Sequence, residues 1–146
     1  MVGVVYEGSC HCGAIGFRYH TARQPGSWSV RACQCAFCRA HHALSTSDPE
    51  ARIEFTAVRP ALLGKYRFAR RTADFLVCGR CGVYIGAMIQ TPRGRFGIVN
   101  VNAFTPVPTE VAAPVPMQYG PESHEQRIAR RELRWSQVSD AGTQLP

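Results

Sequence analysis

The sequence predicts a mainly β fold with one short helix near its C-terminus. Two observations lead there directly. Short apolar runs rich in β-branched residues recur between turns marked by Gly and Pro. A single late segment, 121–134, opens with Pro and Glu and closes in arginines, the charge order that suits a helix dipole. A third observation, seven cysteines gathered into short motifs, predicts that metal sites pin the strands together.

Val4 to Tyr6 and Ala14 to Tyr19 flank the turn segment Ser9 to Gly13 and read as a hairpin. Trp28 to Cys33 reads as a strand, and Phe37 to His42 as a short helical turn. Arg52 to Phe55 alternates as a half-buried strand should. Tyr66 to Phe68 and Asp74 to Val77 look like further strands. Val83 to Ile89 and Phe96 to Val101 have the apolar, β-branched character of central strands. Between Phe104 and Pro121 five prolines forbid helix and central strand, so the chain is expected to run extended over the surface. Residues 1–135 are expected to form one domain and residues 136–146 a loose tail.

The chain has 146 residues, of which 45% are hydrophobic and 18% charged, an ordinary globular mix. No apolar run approaches the ~20 residues a membrane helix needs. The N-terminal residues lack the basic start and long apolar stretch of a secretory signal, so a cytoplasmic, reducing setting is expected. There, cysteines more often mean metal or catalysis than disulfides. The formal charge of +7 counts thiols as neutral. Seven metal-bound thiolates and two zinc ions would lower it to about +4. A mildly basic protein of this kind suits anionic small molecules at least as well as nucleic acid.

The cysteines fall as Cys10-x-Cys12, Cys33-x-Cys35-x-x-Cys38 and Cys78-x-x-Cys81. On a strand, residues i and i+2 share a face, so a C-x-C pair aims two sulfurs at one point and turns His11 away. C-x-x-C wraps a tight turn around one ion, and Gly82 after Cys81 resembles the glycine of zinc knuckles. Structural zinc takes four ligands, whereas catalytic zinc usually keeps three and an exchangeable position. Seven divides into a closed site of Cys10, Cys12, Cys78 and Cys81 and an open one of Cys33, Cys35 and Cys38. Two zinc ions per chain follow, one structural and one catalytic. An odd cysteine count argues against disulfides, while iron–sulfur ligation stays open as a rival. A zinc with three thiolates and a vacant position favours a soft fourth ligand, such as a substrate thiolate.

Gly8 to Phe17, Cys33 to Arg39 and Phe75 to Val83 together resemble the glutathione-dependent formaldehyde-activating enzyme (GFA) family, also called the centromere protein V-like domain. The resemblance spans about residues 5 to 104. It implies an Mss4-like β-tent with zinc knuckles, the same division of the two zinc sites, and carbon–sulfur lyase activity like that of S-hydroxymethylglutathione synthase. The implied partner is a small-molecule thiol of the glutathione type. The chain departs from the family pattern at His42, where a small residue, usually Gly, is common, and this bears on the shape of the pocket.

Beside the triple, Arg39 is a candidate for a substrate carboxylate, its alternative being a solvated surface arginine. His41 and His42 are candidate proton carriers, with packing or turn roles as alternatives. Asn100 and Asn102 either line a cleft or brace nearby loops. The functional expectation is a zinc-dependent carbon–sulfur lyase acting on an adduct of a thiol with a small aldehyde. Its rival is a zinc-dependent binding module for nucleic acid or protein. A module of that sort uses closed four-ligand sites, and the basic residues here form no continuous run.

Overall fold

The computed structural model describes residues 3–139. In chain order these form β1 (Val4–Ser9), β2 (Ile15–Thr21), β3 (Val30–Cys33), α1 (Ala36–Ala40), β4 (Ser45–Thr46), β5 (Arg52–Ala57) and β6 (Leu63–Tyr66). There follow β7 (Asp74–Cys78), β8 (Tyr84–Thr91), β9 (Gly94–Asn100), β10 (Val115–Met117), α2 (His124–Arg134) and β11 (Ser136–Val138). The architecture is mainly β with a short C-terminal helix, as expected. No helix among the described residues is long and apolar enough to cross a membrane.

β9 is the hub. β8 pairs along one edge, while β11 and β4 share the other. From β11 the sheet continues through β5 and β2 to β1, and from β4 through β3 to β10. Beyond β8 lie β7 and β6. The alternation read in β5 is real: Ile53 and Phe55 are fully buried, while Arg52 is exposed. They join Phe17, Tyr19, Leu76, Ile85 and Val99 in the main core. Ala87 and Ile89 of β8, with Phe96 and Ile98 of β9, turn to the other face and pack with Trp135. Both faces of β8 are therefore covered, which explains its unbroken apolar run.

Several expectations need correction. Cys10 and Cys12 lie in the β1–β2 turn, so the turn and not a strand pleat aims their sulfurs together. The strand expected at 66–68 sits earlier, at Leu63–Tyr66, with only Tyr66 in common. Its Gly64, a poor strand former, is required there because a Cβ would stand 2.8 Å from the Val77 carbonyl oxygen. β4 is two polar residues that only tertiary pairing defines. In the proline-rich stretch, β10 pairs in parallel with β3 at the sheet edge, a place that tolerates Pro116. Residues 136–138, expected to begin a loose tail, form β11 between β5 and β9. Residues 140–146 of that expected tail lie outside the described residues.

Candidate functional site

The first cysteine group joins two hairpin turns. Cys10 and Cys12 come from the β1–β2 turn, Cys78 from the end of β7 and Cys81 from the turn into β8. Their sulfur atoms all lie within 4.8 Å of one another. Cys12 Sγ is 3.7 Å from Cys10 Sγ and 3.6 Å from Cys78 Sγ. Four thiolates bound tetrahedrally to zinc at ~2.3 Å stand about 3.8 Å apart, so the spacing fits the ion. Backbone N–H groups of Ile15, Arg80 and Cys81 point at these sulfurs, at 3.4 Å each. Such donors stabilise thiolates. Gly13 and Gly82 follow the two motifs with φ of +82° and +79°, a conformation that glycine adopts without strain. Burial pushes the Cys10 thiol up to about 11, whereas the Ala14 N–H and the Arg80 guanidinium draw Cys12 down to about 6.

The second group is local. Cys33 ends β3, Cys35 caps α1, and Cys38 lies in the helix, its N–H donating to Cys35 Sγ at 3.4 Å. These three sulfurs also lie within 4.8 Å of one another. Hydrogen bonds from Cys33 and Cys38 pull the Cys35 thiol far down, and the same contacts push Cys38 far up. Three thiols this close cannot all ionise unless a cation sits among them, which is the condition a metal supplies. Among the described residues these two groups are the clusters suited to a metal, and both could bind zinc. All seven cysteines are free thiols. His11 belongs to neither group.

The three-cysteine group opens onto a cavity of about 300 Å³. Phe68, Phe75, Ile98 and Trp135 give its lining an apolar part. β10, paired with β3, leads Gln118 and Tyr119 past the cysteines, and α2 contributes Arg127, Arg130 and Arg131 to the lining. Tyr84 is fully buried beside Cys38, and its hydroxyl has no hydrogen-bond partner. Burial and the neighbouring cysteines keep that phenol protonated.

The residues that sequence spacing suggested around the triple lie elsewhere. Arg39 is exposed and does not line the cavity. His41 packs its ring on Phe37, with centroids 4.5 Å apart, outside the lining. His42 is exposed at φ +50°, and its carbonyl accepts from Asn102 Nδ2 at 2.9 Å. Its bulk therefore does not shape the cavity; the family's usual Gly would suit this left-handed backbone. Asn100 and Asn102 brace loops, since Asn100 donates to the Tyr84 carbonyl at 2.9 Å and accepts from the Leu44 and Asn102 N–H groups. Two signals went unread in the sequence. Arg31 stands two residues before Cys33 and so shares its strand face. Arg127, Arg130, Arg131 and Arg134 recur at helical spacing on one face of α2.

A family model described as "Glutathione-dependent formaldehyde-activating enzyme" matches residues 5–119, a span that holds both cysteine groups and stops before α2. Among solved structures, a Rhodobacter sphaeroides protein superposes with a TM-score of 0.53 at 27% identity, over 75% of this chain and 97% of that one. No curated protein matches the chain.

Proposed function

The chain belongs to the glutathione-dependent formaldehyde-activating enzyme family, and from that premise we propose that it is a zinc-dependent carbon–sulfur lyase acting on an adduct of a thiol with a small aldehyde. The observation that carries this reading is a three-cysteine group lining a cavity, in a chain that also holds a separate four-cysteine group. In this reading Cys10, Cys12, Cys78 and Cys81 hold a structural zinc, and Cys33, Cys35 and Cys38 hold the catalytic one. Zinc held by the three cysteines would supply a fourth position that takes the substrate sulfur and keeps it deprotonated at neutral pH.

In the synthetic direction a carbon–sulfur bond forms, the aldehyde double bond opens, and the thiol proton ends on the aldehyde oxygen. In reverse the same bond breaks and the thiol leaves. The chain's own residues orient the reactants. Phe68, Phe75 and Trp135 exclude water from the body of the thiol, while Ser45 and Gln118 are neutral polar groups on the lining available to the hydroxymethyl oxygen. Arg39, His41 and His42 receive no direct part, because none of them lines the cavity.

Cobalt substitution tests the reading. Titration with glutathione should strengthen the thiolate-to-metal charge-transfer band in wild type and leave Cys35→Ser unchanged. Exchange NMR should then show glutathione, formaldehyde and their hydroxymethyl adduct interconverting faster than without protein. A cobalt spectrum indifferent to thiols would overturn the open-site mechanism. Tight nucleic-acid binding that survives physiological salt would favour a binding module instead.

A further inference from the structure

α2 docks with its polar face inward. Arg127, Arg130 and Arg131 line the cavity, while Leu133 is 65% exposed. A helix held only for stability turns the other way, apolar face to the core. Arg127 and Arg130 have a carboxylate partner in Glu122, which accepts from Arg130 at 2.7 and 3.0 Å and lies 3.5 Å from Arg127 Nε. Arg131 does not. It is 6% exposed, donates from Nη1 to Thr72 Oγ1 at 2.7 Å and lies 4.8 Å over the Trp135 ring. Its Nε has no hydrogen-bond partner. From β3 comes Arg31, which also lines the cavity and donates to Ser47 Oγ at 2.6 Å. Among the described residues neither Arg31 nor Arg131 makes an ion pair.

Charges withdrawn from water are costly unless something of opposite sign meets them. Here two guanidinium groups border one cavity with no carboxylate in contact with either, and the three cysteines share the same lining. We infer that Arg31 and Arg131 form an anion subsite that selects thiols carrying an oxyanion besides the sulfur. The inference rests on the reading of this cavity as the thiol site. Arg131 lies beyond the family match, which ends at 119 before α2 begins at His124, whereas Arg31 lies within it. Phe75, Ile98 and Trp135 on the same lining suit the uncharged part of such a thiol.

The test uses a probe with blocked sulfur, so that neither thiolate ligation nor turnover contributes. S-methylglutathione and its diethyl ester are titrated into the zinc-loaded full chain by calorimetry. Wild type should prefer the acid by about tenfold or more, the scale of one charge-assisted hydrogen bond. Salt should reduce the preference. Arg131→Gln should bring acid and ester to near equality, and Arg131→Lys should recover part of the difference. Should loss of the Thr72 and Trp135 contacts unfold Arg131→Gln, Arg31→Gln and the wild-type acid–ester comparison still decide. Equal binding of acid and ester by wild type would overturn the inference, as would an unchanged preference in folded Arg131→Gln and Arg31→Gln. Thiols that leave the cobalt spectrum unchanged while the acid preference persists would sink the lyase reading and leave the subsite standing. Thiol ligation without any acid preference would do the reverse.

Discussion

Cys78 and Cys35 carry the same side chain into different tasks. Cys78 is 2% exposed, receives two backbone N–H groups and ties the β7–β8 turn to the distant β1–β2 turn. Cys35 is half-buried and belongs to a group made within six residues of chain. Structural zinc supplies about 10–16 kcal/mol of apparent folding free energy in zinc-finger peptides, so loss of Cys78 should be felt by the whole fold. Cys78→Ser is expected to be insoluble or unfolded by circular dichroism. Cys35→Ser should keep its melting transition. Native mass spectrometry should find two zinc ions on wild type and one on Cys35→Ser; an iron–sulfur absorption band would replace the zinc assignment. His42 offers a separate test. A non-glycine residue in the left-handed region costs about 1 kcal/mol, and His42 is exposed outside the cavity. His42→Gly should therefore raise the melting temperature by a few degrees and leave thiol binding unaltered. The cysteine pairing was legible because metal-ligand spacing is a local property. The place of His42 was not, because a positive φ depends on how α1 is followed into β4.

At the scale of elements, α2 is held at both ends. Ser123 and Gln126 form a reciprocal capping box at 2.8 and 3.1 Å, and β11 follows its last turn directly. Glu122, just before the cap, gathers Arg127 and Arg130. Burial alone would raise the Glu122 carboxyl, but Arg130, Arg127 and Arg131 outweigh it and hold it below the ordinary carboxylate value. Because the folded-state value is the lower one, the stabilisation is fully present above the ordinary value. It is lost as pH falls through the depressed one. Glu122→Gln should melt earlier than wild type at neutral pH, and the gap between the two should close on acidification. A gap that is constant with pH would mean that the carboxylate does not anchor the helix. The helix itself was readable from its Pro, Glu and arginine order. Its orientation was not: a face of four arginines reads as the solvent side, and only the β8–β9 surface beneath it shows that three of them look into a cavity.

For the whole molecule, the final described strand closes the sheet. β11 pairs with both β5 and β9, and Trp135 before it packs on Ala87, Ile89, Phe96 and Ile98. A chain ended after Trp135 would expose two strand edges that are otherwise paired, and it should be insoluble or melt far below wild type in a thermal scan. Wild-type-like melting of that truncation would show that β11 is dispensable. The β class, most strand positions, a late helix within 121–134 and the grouping of seven cysteines into four and three were readable from the sequence alone. Each of these follows from periodicity, turn residues or ligand spacing, which act over a few neighbouring residues. Tertiary structure alone sets which cationic groups share a cavity with the three cysteines. Arg39 is adjacent in sequence, yet the short α1 carries it to solvent. Arg31 and Arg131 lie 100 residues apart in number and line one cavity, because the pairings of β10 with β3 and of β11 with β9 bring β3 and α2 to it. Strand pairing across such separations depends on long-range contacts that no local window of residues encodes.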